Sequence, residues 1–339
     1  MAFSNRILTT VQTKLFDKVQ DTFLGSNVVA TRIMSEPKKW SGRQLEVPVK
    51  TSENTNFTIF SGYQVLPNPA VDTRQKLVWD ATFGTIPVSL PMTEIALNNT
   101  TERVIDLMAL ELQSSAQDMA SAMGTQAYST GTGDDAAFAG FGSLIDDGSV
   151  SSTLGGLSRT TYPTLKSTVT AAGAGALTIV GIASGFDSAS SGSNRPTLIP
   201  TTKAVYSLYE KLLTPQDRIN KTVSFTKDKR HGGTGYNTAD FRGVAIVADE
   251  KCTTGNFIFL NEDYVNWYAL NMPMAKAMSV KGSDIEGNDY NNVSDIGFSW
   301  GEWLKPTNAL ALVSYLTVAG QFIQSNPRYS AKITDITTA

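Results

Sequence analysis

Few side chains in this sequence have the chemistry for catalysis. His231 is the single histidine and Cys252 the single cysteine. A site built from a nucleophile and an imidazole would have to use His231 as its base. That residue stands in "KDKRHGGTG", a basic loop with no periodic scaffold around it, and it reads as a solvent-exposed loop histidine. Cys252, in "ADEKCTTG", is the sole thiol nucleophile on offer. A lone cysteine is most often a small, semi-buried apolar residue. A zinc site made of Cys and His ligands fails on count, although a carboxylate-rich site does not. Oxygen ligands are available at Asp134-Asp135, at Asp146-Asp147 and in "DIEGNDYNN" at 284–292. The last looks like a calcium loop until its sixth position, where Asp289 replaces the required glycine. These acids fit turns and helix stops better. "GTG" at 131–133 does not continue as GxGxxG, and no GK[ST] is present, so no phosphate loop is expected. No catalytic, cofactor-binding or metal residue is assigned, no cofactor is expected, and the chain reads as a non-enzyme.

Composition narrows the classes further. The 339 residues carry a net charge of -3, with 41% hydrophobic and 17% charged residues. A low charge fraction leaves much neutral polar surface, compatible with extensive burial against partners. Without a basic excess, tight sequence-independent binding to nucleic acid is not expected. One cysteine allows no intrachain disulfide, which points to a reducing compartment. "MAFSNRILTTVQTKLFDKVQ" lacks the apolar core of a secretory signal. "NALALVSYLTVAG" is too short to span a bilayer as a helix. The expectation is a soluble chain made inside the cell.

The elements that would position any site are clearer. Ile7, Val11, Leu15, Val19 and Phe23 recur every four residues and predict an amphipathic helix over 5–24. "GRQLEVPVK" and "QKLVWDATF" alternate with period two, which predicts half-buried strands. One stripe is Leu45, Val47 and Val49; the other is Leu77, Trp79, Ala81 and Phe83. The stretch between them is polar and rich in Asn and Pro, so the pair reads as a long hairpin with a wide tip. Pro48 marks its strand as an edge. A two-stranded ribbon is marginal alone, and a neighbouring subunit would give it a surface to lie on.

Residues 99–129 predict the longest helix, roughly 45 Å at 1.5 Å per residue. Asn99 and Glu102 have capping-box spacing. Ile105, Met108, Leu112, Ala116, Met119, Met123 and Ala127 form its apolar stripe, with Gln113, Ser114, Gln117 and Ser121 opposite. Pro163 then suits the first turn of a helix carrying Leu165 and Val169. "ALTIVGIASGF", "TKAVYSLYEKLL" and "EDYVNWYAL" read as helices; "PTLIP", "VAIVA" and "FIFL" read as strands. Val205, Leu208 and Leu212 are the expected inward residues of the second helix. The alternation indicates an α/β layer. "KAMSV", "IGFSW", "ALALVSYLTVA" and "SAKITDI" return to strands.

In this order the phrases resemble the major capsid proteins of tailed bacteriophages, the Hong Kong 97 type. "GRQLEVPVK" with "QKLVWDATFGTIPVSLPMTEIALNN" is similar to that family's extended loop, and "TERVIDLMALELQSSAQDMASAM" to its spine helix. "FAGFGSLIDD…TLGGLSRTTYPTLKS" resembles its Gly-rich passage. "RPTLIPTTKAVYSLYEKLLTPQDR", "FRGVAIVADEKCTTGNFIFLNEDYV" and "ALVSYLTVAGQFIQSNPRYSAKITDI" resemble its axial strands, helix and Asn-Pro-Arg ending. Thr164-Leu165-Lys166 stand where an aromatic pair is common. The likeness spans nearly the whole chain.

The resemblance implies an α+β fold. It assigns an N-terminal arm at 1–36, an extended β-hairpin loop at 37–84 and a peripheral domain at 85–161 with spine helix 99–129. An axial domain at 162–272, peripheral return strands at 273–322 and a C-terminal axial strand at 323–339 complete it. Residues 131–161 become the crossing between domains, where glycines permit sharp turns. Arg159 there either ties the connector to a carboxylate or is a solvated surface charge. The implied function is self-assembly as hexamers and pentamers into an icosahedral shell around double-stranded DNA. The implied partners are other copies of the chain, a separate scaffolding protein, a portal and a decoration protein. DNA would be enclosed without sequence-specific binding, and no membrane is involved. The implied location is the virion capsid, after assembly and maturation in the host cytoplasm. Two alternatives stand: an encapsulin-like cellular shell, and a carboxylate-dependent hydrolase with a β-rich accessory domain.

Overall fold

The computed structural model describes residues 27–337, except 64, 67–68, 98–100, 134–136, 174, 214–238, 271–296 and 302. The helix expected at 5–24, Asn99, Asp134-Asp135, His231, "KAMSV" and "DIEGNDYNN" all lie outside the described residues.

Two sheets organise the chain. The first joins β1 (Lys38–Trp40), β12 (Val265–Leu270), β14 (Ala311–Gln324) and β13 (Phe298–Trp300) in that order. Along the other edge of β14 runs β4 (Thr82–Pro91), antiparallel from Ala311↔Pro91 to Gly320↔Thr82. The second sheet is β7 (Thr168–Ala171), β15 (Ala331–Thr334), β11 (Phe257–Phe259), β8 (Leu198–Thr201), β10 (Val244–Ala248) and β9 (Asp240–Phe241), in spatial order.

Period-two burial lets this second sheet serve two cores at once. Leu198, Ala245, Val247, Ile258 and Leu260 face a large core shared with the first sheet. Ile199, Val244, Ile246, Phe257 and Phe259 face a smaller core. Helices α5 (Ile179–Ser188) and α6 (Lys203–Leu212) cover that smaller core with Ile182, Phe186, Val205 and Tyr209. Both helices start on a threonine cap. Thr178 Oγ1 accepts from Gly181 N (3.1 Å) and Thr202 Oγ1 from Val205 N (3.4 Å).

Against the first sheet lie α1 (Val28–Met34) and the long helix α3 (Thr101–Ala127), which follows the short α2 (Met92–Leu97). The 27 residues of α3 span about 40 Å. Ala116, Met119, Met123 and Ala127 are buried as their spacing predicts, while Ser114 and Gln117 are exposed. Gln321, fully buried on β14, fixes the neighbouring segments. Its Oε1 accepts from Ala139 N (2.7 Å) and its Nε2 donates to Thr82 Oγ1 (3.1 Å).

β2 (Gln44–Lys50) and β3 (Arg74–Asp80) pair as an antiparallel ribbon, from Gln44↔Asp80 to Lys50↔Arg74. Leu45, Val47 and Val49 turn inward and Leu77 and Trp79 are buried. Among the described strands β2 has no second neighbour, nor does β4 beyond β14. Pro48 lies in the first of these edge strands, Pro87 and Pro91 in the second.

Several expectations need correction. "EDYVNWYAL" is strand β12, not a helix: Val265, Trp267 and Ala269 are buried while their neighbours are half-buried, a period of two. Aromatic and β-branched side chains suit that pleated surface. Pro163 opens a single 3₁₀ turn, Pro163–Leu165, and Val169 lies in the β-branched strand β7. The stripe on β3 does not run on to Phe83. The ladder breaks at Ala81, so the phase inverts: Thr82 is buried against Gln321 and Phe83 is exposed. On α6, Leu208 and Leu212 are only half-buried, and the deep position belongs to Tyr209, whose hydroxyl donates to Asp240 O (3.0 Å).

Candidate functional site

Among the described residues, the thiol offers no chemistry. Cys252 is buried, and burial first, then the Asp249 carboxylate, push its pKa from 9.0 to about 12. A thiol held protonated is a poor nucleophile. No group of His, Cys, Asp and Glu among the described residues could hold a metal ion. No described helix is long and apolar enough to cross a membrane. Two other features stand out: a buried charged node in the Gly-rich passage, and an apolar loop at the end of the ribbon.

The passage starts where α3 stops. Its two arms cross through Gly140 N to Gly131 O (3.1 Å) and Gly142 N to Ser129 O (3.1 Å). A Cβ on Gly140 would lie 2.1 Å from Ser129 O, so no other residue fits there. The one-turn helix α4 (Phe141–Leu144) and the small hairpin of β5 (Thr153–Leu154) and β6 (Leu157–Ser158) follow. Gly155, at φ +49°, takes a left-handed turn against Leu77 and accepts from Val78 N (2.9 Å). The root of the ribbon therefore rests on its own chain.

Asp146 is the centre of the node. Its Oδ2 accepts from the backbone N–H groups of Gly148 (2.9 Å), Val150 (2.9 Å) and Ser151 (3.1 Å). The same oxygen takes Arg159 Nη1 at 3.2 Å, and Oδ1 takes Lys332 Nζ at 3.3 Å. Arg159, with no exposed surface, also donates to the carbonyls of Ser143 (2.7 Å), Leu144 (3.0 Å) and Ser151 (3.1 Å). Of the two readings open for Arg159, the tie to a carboxylate is the one found. Burial alone would raise the Asp146 pKa, but the three N–H donors and Lys332 more than offset it and hold it low. Burial lowers the pKa of Lys332, against the pull of Asp146. The turn role expected for Asp146-Asp147 is present, yet the sequence held no sign that Lys332 would arrive from far along the chain.

At the far end of the ribbon, Thr51 N donates to Thr73 O (3.0 Å) and Thr164 Oγ1 to Thr51 O (3.0 Å). Beyond that clasp the loop is bare. Phe57, Ile59, Phe60, Tyr63, Val65, Leu66 and Val71 are all exposed. The sequence reading missed this apolar cluster because Asn and Pro between its members hid their density. Exposed apolar surface of this extent on one loop is uncommon.

No protein-family model matches the chain, and no curated protein matches it in sequence. Solved structures do. A chain of the cyanophage A-1(L) capsid asymmetric unit superposes with a TM-score of 0.65 at 16% identity, covering 90% of this chain and 91% of that one. The fold is that of the Hong Kong 97 type capsid proteins. The same capsid fold recurs in the native GTA particle, with a TM-score of 0.57, 10% identity and coverage of 91% and 90%. It recurs again in the SrpI encapsulin of Synechococcus elongatus, with a TM-score of 0.55, 9% identity and coverage of 89% and 86%. Two of these neighbours are described as capsids and the third as an encapsulin complex.

Proposed function

We propose that this chain is the major capsid protein of a tailed bacteriophage. It assembles through hexamers and pentamers into an icosahedral shell around packaged double-stranded DNA. The observation that carries this reading is the apolar loop at 57–71, exposed on a subunit of capsid fold. Large apolar groups cost free energy in water and gain it when a neighbouring subunit covers them. Contacts of this kind on several sides make assembly multivalent, so no single interface need be strong.

The parts map onto this role. In this proposal residues 1–36 belong to an arm, whose described helix α1 packs against the first sheet, 37–84 to the extended loop and 85–161 to a peripheral domain around the long helix. In the same proposal residues 162–272 belong to an axial domain, 273–322 to the peripheral return and 323–339 to a final axial segment; within these bounds β12 and the last residues of β14, to Gln324, pair in the first sheet. The role is mechanical rather than enzymatic. Scaffolding protein, portal and decoration protein are the partners, and the virion capsid, assembled in the host cytoplasm, is the location. A second reading, an encapsulin-like cellular compartment, draws on the likeness to SrpI.

Negative-stain microscopy and light scattering of the purified protein test the assembly claim. Shells or capsomers are expected. A monodisperse monomer across salt and concentration, with scaffolding protein present, would sink it. Particles recovered from producing cells then separate the two readings: nuclease-protected double-stranded DNA supports the phage capsid, and enclosed protein without DNA supports the compartment.

A further inference from the structure

β15 follows every other strand of its sheet in the sequence, yet it is not at an edge. It sits between β7, parallel to it from Ala331↔Thr168 to Thr334↔Ala171, and β11, antiparallel from Phe257↔Ile333 to Phe259↔Ala331. Around it the backbone is clasped on both sides. Thr334 O accepts from Ala172 N (2.8 Å), Ile336 N donates to Gly255 O (3.1 Å) and Thr337 N to Gly175 O (3.1 Å). At the near end Ser167 Oγ donates to Pro327 O (2.8 Å). One face of this strap seals the smaller core with Ala331, Ile333 and Ile336. The other face carries Lys332, almost fully buried, whose Nζ donates to Gly142 O (2.9 Å) and reaches Asp146.

The charges at the node are unequal in what they hold. Without Lys332, Asp146 would still be matched by Arg159 and three backbone donors. The node is thus self-sufficient as a turn, and Lys332 adds a connection more than a neutralisation. Without Asp146 or Gly142 O, by contrast, the ammonium on the strap would be buried with no described partner.

We infer that residues 326–337 form a strap that closes the sheet as a unit by seating between β7 and β11, and that the Lys332 ammonium bolts it to the Asp146 junction so that strap and junction open together. The device belongs to the free subunit and holds whatever shell the chain builds. It places release of an interior strand and loosening of the Gly-rich crossing under one latch.

Hydrogen exchange on the full-length chain, read by mass spectrometry across a denaturant series, tests it. In the wild type, the strap amides at 331–337 and the junction amides of Gly148, Val150 and Ser151 should lose protection with one shared opening. Lys332→Met keeps an unbranched chain and removes the bolt. It should raise strap exchange by at least about tenfold while the junction and β8–β10 keep their protection. Ile333→Ala weakens the strap but leaves the bolt, and should raise strap and junction exchange by the same factor. The inference is overturned if Lys332→Met leaves the strap unchanged or raises β8–β10 equally. It is overturned too if Ile333→Ala frees the strap without the junction. Should Lys332→Met fail to fold, the Ile333→Ala result alone decides.

Discussion

The ribbon tip and the Gly-rich junction invert the usual distribution of side chains. At the tip, seven large apolar residues stand in water. At the junction, Asp146, Arg159 and Lys332 are buried. Each arrangement is unfavourable in isolation. The junction finds its partners within the chain: every charge meets an opposite charge or a backbone dipole at hydrogen-bond distance. The tip has no such neighbour among the described residues. One region is finished when the subunit folds; under the proposed function the other is covered by a neighbouring subunit.

The comparison breaks most easily at Arg159. Replacing it with methionine leaves the carbonyls of Ser143, Leu144 and Ser151 without this donor and strips Asp146 of its closest cation. The expected loss is about 3–5 kcal/mol of unfolding free energy, measurable by urea titration. The same node fixes the acid limit. Asp146 titrates below its unfolded value, so its contribution is complete above that value and disappears as pH falls through the lowered one. The wild type should lose stability there, and Lys332→Met, which removes the cation that helps to lower Asp146, should lose it at a higher pH.

Alkali should have the next largest effect. Cys252 and Tyr128 are both raised, chiefly by burial, so their protonated forms belong to the folded state. Each contribution is present below the group's unfolded pKa and falls as pH rises through the raised one; for Cys252 the decline runs from about 9 towards 12. Cys252→Ala should flatten the lower part of that decline in thermal melts, and the native thiol should react slowly with a disulfide reagent at pH 8. Fast labelling would mean the site is open.

At the tip, Phe57→Ser with Tyr63→Ser should change subunit stability by no more than about 0.5 kcal/mol, because neither side chain is packed. Particle yield by light scattering should nevertheless fall sharply. A stability loss without an assembly defect would reverse the contrast drawn here. The smallest effect is expected at Lys76 and Glu46, an ion pair on the ribbon's open surface at 2.6 Å. Lys76→Ala should cost only about 0–1 kcal/mol, which sharpens the point that burial and added hydrogen bonds, not ion pairing itself, give the node its strength.

Local patterns were legible in the sequence wherever one period held over several residues. The stripes of β2 and β3 and the Ala116–Met119–Met123–Ala127 line of α3 are of this kind. β12 was not, because the aromatic-rich "NWYAL" satisfies a short helix as well as a strand until a pairing partner is known. Phe83 was misjudged because a break at one residue, Ala81, inverts the phase, and period alone carries no marker for it. The node was invisible for a different reason. Asp146 and Arg159 are close in sequence, but Lys332 reaches them only through the placement of β15 beside β7, a long-range pairing that composition does not announce. The tip was half-visible: its exposure followed from being a wide hairpin end, and its apolar character was overlooked among Asn and Pro.

The prolines on the free strands have a further consequence. Pro48 on β2, and Pro87 and Pro91 on β4, cannot donate a backbone hydrogen bond, so neither strand offers an unbroken template to an incoming chain. Replacing Pro48 with valine should therefore raise thioflavin-positive deposits in concentrated stocks, and an unchanged signal would count against this role. In the proposed role, a concentrated subunit that exposes a greasy loop runs a risk of stacking into fibres. These two strands let it wait, adhesive at one chosen place and mute along its flanks.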